Sequence, residues 1–148
     1  MLNQEIKIDH VGWVTNDINN FESFWIDIIG FKKIWESYLT PELSEILFGL
    51  EYGATCRRYQ KGNNVIEVHK FDKQVEEKES HFNQFGINHI ALYVENRKEM
   101  IQTIKEIIQT KNIEKEISIH IYHNPGGWDN MFIKDFEGNW IELRETLK

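Results

Sequence analysis

The chain has 148 residues, 41% of them hydrophobic with nine Phe and five Trp, enough for one compact domain and too apolar for a disordered segment. Its formal net charge of −7, from 24 acidic and 17 basic residues, argues against nucleic acid or an anionic membrane as partner. One cysteine, Cys56, permits no intramolecular disulfide, the first residues lack a signal-peptide pattern, and no apolar run approaches the roughly 18 residues of a membrane span, so the expected location is cytoplasmic.

In chain order, Ile6 to Val14 reads as a strand, with Ile8, His10, Gly12 and Val14 on one face and Val11 and Trp13 on the other. Asn16-Asp17 caps a helix whose stripe is Ile18, Phe21, Phe24, Trp25, Ile28 and Ile29, and Gly30 stops it. A strand follows from Phe31 to Tyr38. Thr40-Pro41 then starts a short apolar helix, Leu43 to Phe48, ended by Gly49, which serves as packing or as a pocket wall. Gly53 to Tyr59 and Val65 to Phe71 are two further strands joined by a turn at Lys61-Gly62-Asn63-Asn64. On the second of them Val65, Glu67 and His69 share a face opposite Ile66 and Val68.

Residues 72–85 are charged and aperiodic and read as a connector. Gly86 to Glu95 is the next strand, with His89, Ala91 and Tyr93 on one face and Ile90, Leu92 and Val94 on the other. Asn96 and Glu99 mark the start of a helix striped by Met100, Ile101, Ile104, Ile107 and Ile108. Ile117 to His123 is a strand, and a loop through Trp128 leads to a hairpin of Asn130–Lys134 and Asn139–Glu145.

Both halves therefore have the order β-α-β-β-β, and their motifs match. Ile8-Asp9-His10-Val11 returns as Ile87-Asn88-His89-Ile90, and Val65-Ile66-Glu67-Val68 returns as Trp140-Ile141-Glu142-Leu143. A single His or Glu on a strand is ordinarily structural or solvated. Four at repeat-related positions, each on the face opposite the apolar residues, would gather in a cleft where burying them costs several kcal/mol unless they bind a metal. Imidazole and carboxylate suit Zn, Ni, Co, Mn or Fe(II), and four ligands on an octahedral ion leave two positions open. The expected metal ligands are His10, Glu67, His89 and Glu142, with Glu142 or Glu67 also acting as the catalytic base.

Candidate substrate contacts surround that set. Arg57 and Arg58 point to opposite faces, and either one is a candidate to bind an anionic group. His69 shares the Glu67 face, Tyr93 the His89 face, and Trp128, Phe132 and Trp140 lie in or beside the closing hairpin. Cys56 reads as packing.

With Phe24-Trp25-Ile26-Asp27-Ile28-Ile29-Gly30-Phe31 and Phe132-Ile133-Lys134-Asp135-Phe136-Glu137-Gly138-Asn139-Trp140-Ile141-Glu142-Leu143 added to the histidine motifs, nearly the whole chain resembles the vicinal oxygen chelate superfamily. That superfamily includes glyoxalase I, methylmalonyl-CoA epimerase, extradiol dioxygenases and bleomycin-resistance proteins. Its usual Asp-Pro-Asp-Gly turn is here Asp135-Phe136-Glu137-Gly138. The resemblance implies an α+β fold of two βαβββ modules (1–71 and 86–148, with 72–85 between them) forming a mixed, incompletely closed sheet around a concave site. It also implies a small-molecule substrate, one divalent metal ion and a homodimer, with modules paired within one chain or swapped between two.

The order His, Glu, His, Glu is similar to that of glyoxalase I. It implies a metal-dependent lyase or isomerase that moves a proton next to a chelated carbonyl or enediolate. A methylmalonyl-CoA epimerase-like enzyme is the alternative. An extradiol-type dioxygenase, or a non-enzymatic antibiotic-binding protein of the same fold, stands behind both.

Overall fold

A computed structural model of the chain describes residues 7–76, 83, 86–123, 125–126 and 129–145. Most of the expected connector, Ile6 and Trp128 lie outside the described residues, whereas Lys7 to His10, expected to open the first strand, are described and are not strand. The chain divides into two compact units, Met1–Glu76 and Glu77–Lys148.

The first unit runs β1 (Val11–Val14), α1 (Ile18–Glu22), β2 (Lys32–Leu39), α2 (Pro41–Phe48), β3 (Ala54–Lys61) and β4 (Asn64–Phe71). Its sheet order is β1-β4-β3-β2, with β1 parallel to β4 and the other pairs antiparallel. The expected helix is present, but only its first turn is α. Asp17 caps it by accepting from the backbone N–H groups of Asn19 and Asn20, and Ser23–Ile28 continues it as a π-helical segment. There the Ile29 N–H reaches back to the Phe24 carbonyl. Periodicity does not reveal this widening, because the same side chains face inward in either helix.

Phe21, Phe24, Trp25, Ile28 and Ile29 are buried, as are Ile66 and Val68 of β4 and Tyr59 of β3, whose ring lies 5.3 Å from that of Phe21. The core is strongly aromatic. Trp25 is 0% exposed and meets Trp13, Phe24 and Phe31 edge-on at 5.3–5.6 Å between ring centroids. A bidentate pair holds the end of the unit to the loop before α1, as Asn16 both donates to the Val75 carbonyl and accepts from its N–H at 2.9 Å.

The second unit runs β5 (His89–Val94), α3 (Arg97–Thr110), β6 (Ile119–His123), β7 (Asp129–Lys134) and β8 (Trp140–Glu145). Its sheet order, β5-β8-β7-β6 with β5 parallel to β8, repeats that of the first unit. Asn96 caps α3 by accepting from the Glu99 N–H, and the Glu145 carboxylate accepts from the Arg97 N–H, negative charge where the helix dipole favours it. The β7–β8 turn is built on buried Asp135, whose Oδ1 accepts from the backbone N–H groups of Glu137 and Asn139 while Gly138 takes a φ of 85°. Ile104, Met131, Ile133, Ile141 and Leu143 form this core, which is mainly aliphatic where the first is aromatic.

Helix α2 has no counterpart among the described residues of the second unit. Thr40 and Pro41 start it, and Gly49 ends it in the left-handed region at φ 70°. Phe48 packs edge-on against His69 and Phe71, while Ile46 and Leu47 stay exposed. No helix of the described residues is long and apolar enough to cross a membrane.

One ionic cluster lies on the helix side of the first sheet, where the Tyr59 hydroxyl donates to Glu22 at 2.7 Å and Arg57 donates to the same oxygen at 2.9 Å. Burial, followed by the bond to Glu22, raises the Tyr59 pKa well above its ordinary value. The folded state then keeps a proton that the unfolded chain releases near pH 10, so this stabilisation is complete below about pH 10 and is lost as pH rises toward the folded pKa. Chemical denaturation between pH 9 and 12 is expected to show stability falling with pH, and Tyr59→Phe is expected to flatten that fall.

Candidate functional site

Strand register decides which side chains share a face. Gly12 and Arg58 are both aligned with Glu67, and Val14 and Cys56 with His69. The face opposite α1 therefore presents Glu67, His69 and Arg58, and His10 immediately before β1 joins it. In the second unit Ala91 and Phe132 are aligned with Glu142, and His89 and Lys134 with Trp140. The expected alternation of faces holds on both repeats.

Each half brings its histidine to its glutamate. His10 Nε2 lies 3.6 Å from Glu67 Oε1, and His89 Nε2 lies 3.5 Å from Glu142 Oε2. The residue before each histidine fixes the ring. Asp9 Oδ1 is 2.7 Å from His10 Nδ1, and Asn88 Oδ1 is 2.7 Å from His89 Nδ1. With these oxygens accepting, each Nδ1 carries a hydrogen and each Nε2 is turned to a carboxylate. A charge-assisted hydrogen bond would close to about 2.7–2.9 Å. Two ligands on one ion with bonds near 2.1 Å stand about 3.0–3.4 Å apart, close to both observed separations. Each pair thus fits a divalent cation as one edge of its coordination shell. No group of three or more His, Cys, Asp or Glu side chains that could hold a metal ion is found among the described residues.

The two pairs differ in what stands beside the carboxylate. Arg58 Nε donates to Glu67 Oε2 at 2.5 Å, and its NH1 lies 3.9 Å from Asp9. The hydrogen bond from His10, with the charge of Arg58 in support, holds Asp9 below the usual carboxylate range. His69 Nε2 is 3.7 Å from Glu67 Oε1, on the oxygen that also faces His10. At the aligned position in the second unit stands Phe132, with its ring 5.6 Å from that of His89. Among the described residues the nearest arginine or lysine to Glu142 is Arg144, at 4.0 Å and 55% exposed. One carboxylate is tied down by a guanidinium and the other is aligned with a phenylalanine.

Of the two arginines, Arg58 shares the Glu67 face. Arg57 lies on the helix side, bonded to Glu22 and 2.9 Å from Glu36. Trp140 carries the Lys134 ammonium 4.4 Å from its ring centroid and His120 at 4.7 Å, and Phe132 meets it edge-on at 6.2 Å. Tyr93 is exposed on the same face. Lys134 did not stand out in the sequence, whereas His120 reads there as a surface or strand-edge residue and is exposed; the alternation of β6 and β7 places both beside Trp140. Cys56 is buried, and burial with the nearby Glu67 charge pushes its thiol pKa up, against a nucleophilic role.

A family model described as the glyoxalase/bleomycin resistance protein/dioxygenase superfamily matches residues 7–143. The chain belongs to that superfamily. Its fold is that of solved members. A glyoxalase family protein from Bacillus cereus superimposes with a TM-score of 0.76 at 19% identity, covering 99% of this chain and 97% of that one. A glyoxalase family protein from Enterococcus faecalis gives 0.68 at 20% identity, with 93% and 95% covered. The fosfomycin resistance protein FosX from Listeria monocytogenes, in complex with Mn(II) and a dihydroxypropylphosphonic acid, gives 0.60 at 16% identity, with 99% and 94% covered. No curated protein matches the sequence.

Proposed function

We propose that the chain is a metal-dependent lyase or isomerase of the glyoxalase I type, in which His10, Glu67, His89 and Glu142 hold one divalent ion. The observation that carries this reading is the repeated pair: an imidazole Nε2 facing a carboxylate oxygen at 3.5–3.6 Å, with Nδ1 beside the preceding side chain's oxygen in both halves. The FosX complex with Mn(II) supports a divalent ion as a ligand compatible with this fold. When bound, the ion would supply Lewis-acid stabilisation of the negative charge that builds on substrate oxygen as a proton leaves the adjacent carbon.

The side chains divide the remaining work. His10 and His89, each with Nδ1 oriented by the preceding side chain, would serve as Nε2 ligands. Glu67 has one oxygen engaged by Arg58, so it is an anchoring ligand and a poor proton acceptor. Among the described residues Glu142 has no arginine nearer than Arg144 at 4.0 Å, and its cross-strand neighbour is the apolar Phe132. Glu142 takes the proton from the substrate carbon and returns it to the neighbouring carbon. Phe132, Trp140 and Tyr93 offer ring surface for the rest of the substrate.

Elemental analysis of protein purified without added metal, followed by titration with Ni(II), Co(II), Mn(II) and Zn(II), is expected to show one ion per His10–Glu67 and His89–Glu142 set. Solvent-deuterium exchange at the substrate carbon, followed by NMR over a panel of hemithioacetals and acyl-CoA thioesters, is expected to single out one class. Binding of less than about a tenth of an equivalent, with no saturation on titration, would sink the enzyme reading in favour of a metal-free binder.

A further inference from the structure

The position aligned with the glutamate on the neighbouring antiparallel strand is Arg58 in one unit and Phe132 in the other. Arg58 donates from Nε to Glu67 Oε2 and stands 3.9 Å from Asp9, the residue that holds His10, and its guanidinium lies 5.9 Å from the Trp35 ring centroid. The bond to Glu67 also pushes its own pKa up, so its charge is permanent. A cation at this point has two effects on a metal ion bound at the His10–Glu67 pair. It repels the ion, and it occupies the carboxylate oxygen that would otherwise be its second donor.

Both effects weaken metal binding, which makes Arg58 costly for a residue whose only duty is to support a metal ligand. We infer that Arg58 is a positioning residue that restricts Glu67 to a single donor oxygen, Oε1, so that coordination positions on the ion stay free for substrate. Glu67 Oε1 is the oxygen that faces His10, while Oε2 is turned to the guanidinium. A catalytic metal site needs such open positions, whereas a closed shell makes a structural site. The device belongs to one half, because Phe132 can neither repel a cation nor hold a carboxylate oxygen.

This inference rests on the metal-dependent reading above, and the test separates the two. Arg58→Met removes the charge and the bond at similar length, Arg58→Gln removes the charge with a smaller change to the same face, and Arg58→Lys keeps the charge. Co(II) binding is measured by calorimetry and by visible absorption on each variant and on the unsubstituted protein, with thermal unfolding of the metal-free forms as the control for folding. Arg58→Met and Arg58→Gln are expected to bind Co(II) about tenfold more tightly, after allowance for solvent screening of a part-exposed charge, and to shift the absorption toward a higher coordination number. Arg58→Lys is expected to stay within about threefold of the unsubstituted protein, and proton exchange in the Met and Gln variants is expected to fall although they hold metal better. A residue that merely supports the fold would give weaker binding. Unchanged or weaker Co(II) binding in both neutral variants overturns the role of Arg58 and leaves the metal-dependent reading standing. An unsubstituted protein that binds no divalent metal overturns both.

Discussion

Replacing Glu142 by Gln is expected to lower proton exchange at the substrate carbon by about a thousandfold, within the 10²–10⁴ that a positioned general base contributes. The side chain keeps its size and its place in β8, where Ile141 and Leu143 on either side are buried. The change therefore removes basicity and one negative charge without disturbing the sheet. Glu67→Gln is expected to lose about tenfold or less at saturating metal, with its main effect on metal affinity. Its Oε2 is already committed to Arg58, whereas the nearest arginine or lysine to Glu142 among the described residues is the exposed Arg144 at 4.0 Å. Both variants are to be assayed under saturating metal, so that loss of the ion is not read as loss of the base. Equal activity of the two would remove the assignment of Glu142, and full activity of Glu142→Gln alone would transfer the role to Glu67.

The second large effect is on stability. Trp25→Ala is expected to cost about 3–5 kcal/mol, the usual range for deleting a large aromatic side chain from a packed core. Trp25 is fully buried and in ring contact with Trp13, Phe21, Phe24 and Phe31, so its loss leaves a void that four neighbours cannot fill without leaving their own contacts. For a chain of this size the change corresponds to roughly ten degrees or more in melting temperature, measurable by calorimetry or circular dichroism. Trp25→Phe should cost much less. The indole Nε1 is buried without a hydrogen-bond partner among the described residues, and the smaller ring removes that polar group along with the volume. A Phe variant as unstable as the Ala variant would show that shape, and not buried area, governs this site.

Because metal binding and folding are linked, the Glu142 and Trp25 variants also probe different things. A ligand held only by the folded state raises the melting temperature in proportion to its occupancy. The Trp25 variant should keep a metal-dependent rise on a lower baseline. A Glu142 variant with weaker metal binding should show a reduced rise on an unchanged baseline.

Much of this was legible in the residues alone. Strand faces follow from a period of two, so the separation of Glu67 and His69 from Ile66 and Val68, and of His89 from Ile90, needed no coordinates. The caps at Asp17, Thr40 and Asn96 and the stops at Gly30 and Gly49 are local chemistry, and each stands where the sequence placed it. The β-α-β-β-β order and the repeat of the His and Glu motifs were visible for the same reason, as was the membership of the superfamily. What the chain left open was everything that depends on register between strands distant in sequence. Arg57 and Arg58 are neighbours in the chain with opposite fates, one bonded to Glu22 beneath the helix and the other to Glu67, because β3 pairs with β4 at one register and not the next. The roles of Asp9 and Asn88 were equally hidden, since a side chain that holds the adjacent ring looks like any polar residue beside a histidine.

The sequence by itself determined the two halves, their faces and the four polar side chains set apart from the core. Tertiary structure decided how those side chains are held: Nδ1 of each histidine engaged, Nε2 turned to a carboxylate, and one carboxylate tied by arginine while the other is aligned with phenylalanine. The physical reason is that periodicity fixes the direction of a side chain, whereas its partner is chosen by pairing across strands, which no local pattern encodes.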